Sequence, residues 1–306
     1  MGALEVLEPG FFTTVQDDGR SGYRKFGVPV GGAMDGYAQK SANWLVGNDA
    51  GAPVLEMTLK GGSFRFLHQA VIGMAGAESA ISVNGKQTSR YKTLKLEAGD
   101  VLGIGNVTSG CRVYLAVAGN WDLDKVMGSY STNSQAKFGG FQGRKLRSGD
   151  QLEWEEPGND QQVREIPRKL QPYFGSSFQI RILAGPEWDW LPENEQKRFL
   201  SSEFEVKTES NRMGIRLKAS GGIQTSGEEM MSAPVVPGMV QMPPNGAPII
   251  LMNDAQSVGG YPRVAKVVDA DLWRLGQVWP PSKIHFKKVS RKEAIKLRAF
   301  QENLLY

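Results

Sequence analysis

Four stretches of this chain crowd polar side chains against glycines, and they hold the residues that could do chemistry. In "TTVQDDGRSGYRKFGVPVGGAMDGYAQKSANWLVGN" (13–48), Gln16, Asp17 and Arg20 share a turn, and Asp35 and Asn43 lie on or beside a following helix. In "MGSYSTNSQAKFGGFQGRKLRSGD" (127–150), Ser131 and Thr132 offer hydroxyls, and Gly139 and Gly140 let backbone approach a ligand. Arg144 adds a planar fork that matches a carboxylate or a phosphate. "ESNRMGIRL" (209–217) carries Asn211 and Arg212. The last stretch, "NDAQSVGGYPRVAKVVDADLWRLGQ" (253–277), sets Asp254 and Gln256 just before Gly259, Gly260 and Tyr261, and follows "PGMVQMPPNGAPIIL" with Gln241. One polar turn is ordinary, because Asp and Asn satisfy nearby backbone groups. Four such stretches, with glycines that cost backbone entropy, read as walls of a substrate pocket.

The elements that must position these residues are mostly strands. "FRFLHQAVIGMAGA", "SAISVNGK", "YKTLKLEAGDVLGIG" and "GCRVYLAVAG" are rich in Val, Ile and Leu and broken by Gly, Asn and Asp. "VNGK" is a two-residue hairpin signal. One helix interrupts them: Asp35 can cap it, Ala38, Ala42 and Leu45 fall on one face, and Gly47-Asn48 can end it. "LEAGDVLGI" (96–104) and "LRSGDQLEW" (146–154) share Leu-x-x-Gly-Asp-x-Leu, a Gly-Asp turn feeding a strand. After residue 154 the chain turns polar with two prolines, "EEPGNDQQVREIPRKL". The expected division is a β-barrel domain over 1–154, a linker over 155–174, a second barrel over 175–290 and a helical tail over 291–306. In the second part "FQIRILAGP", "FEVKTES", "GIRLKAS", "APIILM", "VAKVV" and "KIHFKKV" read as strands. "PENEQKRFL" and "ADLWRLGQ" read as short helices, the second capped by Asp269. Val289, Ala294, Leu297 and Phe300 give the basic tail an apolar edge.

Composition narrows the function classes. The chain has 306 residues, 40% hydrophobic and 22% charged, ordinary globular usage. A formal charge of +4 without an aromatic–basic ribbon gives no support for nucleic-acid binding. Cys111 is the single cysteine and lies in an apolar strand, so it reads as a core thiol. His68 and His285 flank apolar runs and read as structural, and no metal site is expected. There is no G-x-x-x-x-G-K-[ST] phosphate loop and no G-x-S-x-G nucleophile elbow. The N-terminus lacks the pattern of a signal peptide and no run approaches 18 apolar residues, so a cytoplasmic protein away from membranes is expected.

The four stretches, in order and spaced over nearly the whole chain, resemble the biotin-dependent carboxyltransferase family. Its members are also described as allophanate hydrolase subunit 2, KipA, or the C subunit of bacterial 5-oxoprolinase. Ser257-Val258 stand where that family more often has two threonines. The resemblance implies a mainly β fold of tandem cyclophilin-like β-barrel domains with a few short helices. It implies the C component of a multi-subunit 5-oxoprolinase, active only in complex with a KipI-like B component and an A component, using ATP bound by or shared with a partner. Carboxyl transfer in a urea carboxylase or allophanate-type system, with biotin supplied by another protein, is the alternative. A KipA-like regulatory antagonist of a KipI-like kinase inhibitor is another. Within the family motifs, Asp254 is placed for orientation or proton transfer and Arg144 or Arg212 for an anionic group. Gln241 and Gln256 would be neutral donors, and Gly259, Gly260 and the backbone at Tyr261 would approach the substrate. Gln16, Asp17, Asp35, Asn43, Ser131, Thr132, Gly139, Gly140 and Asn211 would complete the binding surface.

Overall fold

The computed structural model describes residues 1–157, 162–227 and 230–302. It is mainly β, as the sequence patterning predicts, and divides into two units. The first holds Met1–Arg20 and Gly31–Phe174; the second holds Ser21–Val30 and the chain from Gly175 onward. This division differs from the sequence-based one, which also set the tail helix apart, whereas its described residues count with the second unit. Residues 21–30 belong to the second unit, and the expected linker packs into the first, with 158–161 of it lying outside the described residues. The polar composition of that stretch hides Ile166 and Phe174, which are buried. Ile166 donates its N–H to the Tyr91 carbonyl at 2.8 Å.

In the first unit the strands are β1 (Gly2–Glu8), β2 (Phe12–Gln16), β3 (Val54–Thr58), β4 (Ser63–Phe66), β5 (Ala70–Val83), β6 (Lys86–Thr88), β7 (Thr93–Leu96), β8 (Val101–Val117), β9 (Asn120–Trp121) and β10 (Gln151–Glu155). They form a 10-stranded sheet in the order β2-β3-β8-β4-β1-β10-β9, with β5 pairing β6, β7 and β8. Alternate residues point inward, so Leu4, Val6, Phe64, Phe66, Leu152 and Trp154 share one core. Trp154 meets Trp121 and Phe66 edge-on, at ring-centroid distances of 5.6 and 6.2 Å. Helix α1 (Gly36–Val46) lays Ala38, Ala42 and Leu45 on Ala75, Tyr114 and Ala116. Asp35 caps it, accepting from the Ala38 N–H at 2.9 Å, and Gly47 ends it in the left-handed region. The expected hairpin is present: Asn84 and Gly85 take φ of 51° and 76° between β5 and β6.

The repeated Gly-Asp pattern is one turn built twice. Gly99 and Gly149 have φ of 92° and 84°. Asp100 Oδ2 accepts from the Glu97 N–H at 2.8 Å, and Asp150 Oδ2 from the Arg147 N–H at 2.7 Å. Gly99 donates to the Phe66 carbonyl and Gly149 to the Val6 carbonyl, so each turn is sewn to a core strand.

The second unit has β11 (Ser177–Ala184), α2 (Glu193–Ser201), β12 (Phe204–Val206), β13 (Gly214–Lys218), β14 (Ala233–Pro234), β15 (Met239–Gln241), β16 (Ile249–Leu251), β17 (Val258–Gly259), β18 (Arg263–Val267), α3 (Asp269–Leu275), β19 (Lys283–Lys288) and α4 (Arg291–Glu302). Seven strands close a barrel in the order β11-β18-β15-β16-β13-β12-β19, and β14 and β17 form a separate ribbon. Phe199 of α2 stacks on Phe286 of β19 at 4.8 Å and meets Trp188 and Phe204. The cap of α3 is Val268 rather than Asp269; the Asp269 carboxylate is instead held by Lys266 at 3.1 Å. Along α4, Ala294 and Leu297 pack with Val289 against Val268 and Ala270, whereas Phe300 is exposed. Cys111 is buried in β8. His68 is exposed in the turn after β4, so it is no core residue, and His285 lies 3.4 Å from Glu203.

One ion pair joins barrel strand to loop. Glu187 accepts from Arg263 Nη2 at 2.6 Å, Nε at 2.9 Å and the Arg263 N–H at 2.8 Å. Those bonds hold the Glu187 carboxyl below the usual carboxylate range. A depressed folded-state value contributes stability above the unfolded value and loses it as pH falls through the folded one. Glu187→Gln is therefore expected to destabilise the barrel at neutral pH and to flatten its stability profile below about pH 4. Urea unfolding at about pH 7 and about pH 3 measures this; an equal destabilisation at both would refute it.

Candidate functional site

The second unit carries a cavity of about 330 Å3 on the outer face of its barrel wall. The register fixes that face. Ile215, Ile250 and Val240 stand side by side across β13, β16 and β15 and point into the barrel core. Their neighbours Gly214, Arg216, Ile249, Leu251 and Gln241 therefore point outward, and all of them line the cavity. Gln256 and Tyr261, from the segment around β17, form another wall. That segment is anchored: Val235 and Ala255 pack on Leu251, and Arg24 donates to the Val235 carbonyl and, at 3.2 Å, to the Gln256 carbonyl.

Four of the sequence-predicted residues meet here: Asn211, Gln241, Gln256 and Tyr261. Gln241 is 2% exposed and donates from Nε2 to the Tyr261 carbonyl at 3.3 Å. Gly259 backs onto it, and a Cβ added there would stand 2.5 Å from that Nε2. Gly260 lies on the Ser232 side of the same segment, away from the lining set. The cavity also holds charges that the motif reading missed, Lys207 and Arg216. Both charges act on the Glu209 carboxyl, which its own backbone N–H and these two cations hold below the usual carboxylate range. The signal was available in "GIRLK", where a basic residue alternates with core residues along a strand. Two cations beside four amides, Asn211, Gln241, Asn245 and Gln256, suit an anion that also presents a neutral carbonyl or N–H.

Arg212 and Asp254 stand outside this lining and face each other. Arg212 Nε and Nη2 meet Asp254 Oδ2 and Oδ1 at 2.7 and 3.0 Å, and both side chains are nearly buried. Asp254 also donates its N–H to the Arg212 carbonyl at 2.9 Å. The pair fixes the two loops that carry Asn211 and Gln256.

The remaining predicted residues lie in the first unit, where their side chains and backbone bond within that unit. Asp17 Oδ1 accepts from Gly19 N–H, Ser129 Oγ and Ser131 Oγ at 2.8, 2.6 and 2.5 Å, and Oδ2 from the Tyr130 N–H at 2.7 Å. Gln16 Nε2 donates to the Thr132 carbonyl, and Thr132 donates from N–H and Oγ1 to the Val15 carbonyl. Gly139, at φ 70°, lies so close to the Ser131 carbonyl that any Cβ would clash with it. Gly140 donates its N–H to the Tyr130 carbonyl at 2.7 Å. Arg144 is closed by its own turn, with Nη1 and Nη2 on Asp150 at 2.6 and 2.8 Å. Asp35 caps α1, and Asn43 donates to the Ala52 carbonyl at 2.8 Å. Each of these side chains has a bonding role inside the fold. Among the described residues no three His, Cys, Asp or Glu side chains gather as a metal site, and no helix is long and apolar enough to cross a membrane.

A ten-stranded sheet and a closed barrel with a polar cavity on its outer wall make this a two-unit β protein. Its family is shown by comparison: residues 26–288 match the carboxyltransferase domain, subdomain A and B, and the chain belongs to that family. It is 39% identical over 299 residues to the C subunit of 5-oxoprolinase from Escherichia coli, covering 98% of this chain and 95% of that protein. It is 34% identical over 321 residues to urea amidolyase of Saccharomyces cerevisiae, covering 98% of this chain but 17% of that protein. The crystal structure of the Kluyveromyces lactis urea carboxylase superposes with a TM-score of 0.92 at 32% identity, over 99% of this chain and 29% of that one.

Proposed function

We propose that this chain is the C component of a multi-subunit 5-oxoprolinase, which with its A and B components opens 5-oxo-L-proline to L-glutamate while ATP is hydrolysed. The observation that carries this reading is the pairing of Lys207 and Arg216 with Asn211, Gln241 and Gln256 around one cavity. 5-Oxo-L-proline presents one carboxylate and one lactam, and that set has a charged partner for the first and amide partners for the second. The similarity to the C subunit of 5-oxoprolinase over 95% of that protein supports it. Lactam opening needs the carbonyl activated, most simply by phosphoryl transfer from ATP; water then completes the cleavage, giving ADP and phosphate. This chain has no phosphate loop, so ATP is assigned to a partner or to a shared site. Its own contribution is to hold and orient the substrate.

Carboxyl transfer from carboxybiotin is the second reading, favoured by the 34% identity to a urea amidolyase. A carboxylated ureido group is also an anion beside a carbonyl, so the same cavity chemistry would serve.

The test mixes the purified chain with proteins related to the A and B components and follows ATP-dependent glutamate formation, omitting each protein in turn. Activity that requires all three is expected. Arg216→Gln is expected to lower kcat/KM by about tenfold or more, mainly through KM, because it removes a contact made equally to bound substrate and transition state. Full activity without this chain, or an unchanged KM in folded Arg216→Gln, would reject the assignment.

A further inference from the structure

The first unit holds a second cavity, of about 390 Å3, that the proposed reaction does not use. Its lining includes Glu78 and Ser79 of β5, Thr88 of β6, Ser89, Arg90 and Tyr91 just after it, and Arg168. Three features mark it as more than a gap between loops.

The first is irregular backbone. The long β5–β8 ladder slips register between Gly76 and Glu78, between Glu78 and Ser79, and again between Ser79 and Ile81. Bulges re-aim side chains and concentrate beside functional sites. Tyr91 sits at φ 62°, a conformation that is strained for an aromatic residue, and its hydroxyl is tied to Gly76, itself at φ 100°. The second is a hydroxyl with nothing to bind: Ser79 Oγ is buried and has no hydrogen-bond partner. A buried polar atom of that kind calls for a ligand or a water. The third is charge. Arg90 lies over the Tyr91 ring at 5.5 Å, donates to the Gly76 carbonyl at 3.2 Å, and faces Glu78 at 3.6 Å. The Glu78 charge is thereby met, and Arg168, without a carboxylate partner among the described residues, leaves a net positive wall.

We propose that this cavity binds the phosphoryl group of a small molecule, with Arg168 and Arg90 meeting its charge and Ser79 donating to one of its oxygens. A carboxylate offers two oxygens in one plane. A phosphoryl group presents three around a tetrahedron, which suits donors arriving from β5, from the hairpin and from the Arg168 turn. The cavity is larger than phosphate alone, leaving room for the body that carries it.

The test uses the full chain, labelled with 15N and titrated separately with inorganic phosphate, with glycerol phosphate and with acetate. Saturable shifts of the Ser79, Ser89 and Arg90 amides by phosphate or glycerol phosphate are expected. Tighter binding of glycerol phosphate assigns the ligand to phosphate esters, and equal binding to the free oxyanion; either supports the phosphoryl site. Arg168→Gln, at an exposed position, is expected to weaken that binding by about tenfold or more, and Ser79→Ala to weaken it less. Absence of saturable shifts, a preference for acetate, or unchanged binding in Arg168→Gln would overturn the proposal. None of these readouts involves 5-oxoproline, so they stand or fall apart from the activity assay.

Discussion

Asp17→Asn is expected to destabilise the first unit by about 3 kcal/mol or more, although it changes one atom. The Asp17 carboxylate is 6% exposed and accepts four hydrogen bonds, from the Gly19 and Tyr130 N–H groups and from Ser129 and Ser131. Hydrogen bonds to a charged acceptor contribute about 1.5–3 kcal/mol each, and a buried donor that loses its acceptor costs about as much again. An amide turns one acceptor into a donor aimed at donors. The affected segment, 129–132, also receives Arg20, whose Nη2 donates to the Ser131 carbonyl at 2.5 Å. Urea unfolding followed by Trp fluorescence should show an early transition for the first unit and a barrel transition close to wild type. A shift under about 0.5 kcal/mol would mean that solvent takes over these bonds.

Arg212→Leu and Asp254→Leu should each destabilise the barrel by about 3–5 kcal/mol, because each strands one charge of a nearly buried, two-point ion pair. Arg212→Leu/Asp254→Leu should recover most of the loss, since an apolar pair of similar volume is often neutral in such a place. A double-mutant cycle by urea unfolding reads the coupling directly, and additive losses would sink the argument. The double variant also separates two roles. Retained turnover in the reconstituted complex would make the pair a scaffold for the Asn211 and Gln256 loops. A folded double variant without turnover would return Asp254 to the chemistry.

Local signals in the sequence were reliable where chain geometry alone decides them. Asp35 and Gly47 bracket α1, Asn84-Gly85 make the hairpin, and the Leu-x-x-Gly-Asp-x-Leu repeat is one turn sewn twice to core strands. Each depends on a few neighbouring residues. The site was harder, because a polar side chain in a glycine-rich stretch has the same composition whether it awaits a ligand or satisfies its own fold. Arg144 has a fork that fits a carboxylate, and the chain supplies that carboxylate six residues later as Asp150. In sequence, Arg216 is one exposed basic residue on a strand and looks like ordinary surface. It gains meaning only when register sets it beside Gln241 and Ile249 on one outward face. Pairing between strands so far apart along the chain is invisible to a motif.

The early segment Ser21–Val30, counted with the second unit and tied by Arg24 to the Val235 and Gln256 carbonyls, has a consequence for biosynthesis. On a ribosome moving at about 5–20 residues per second, roughly ten to forty seconds separate the emergence of Arg24 from that of its acceptors. The nascent chain must hold this strap unengaged until those acceptors emerge. A translation pause or chaperone hold during that interval would bear first on the Val235 and Gln256 wall of the cavity, the part that waits longest for its partner.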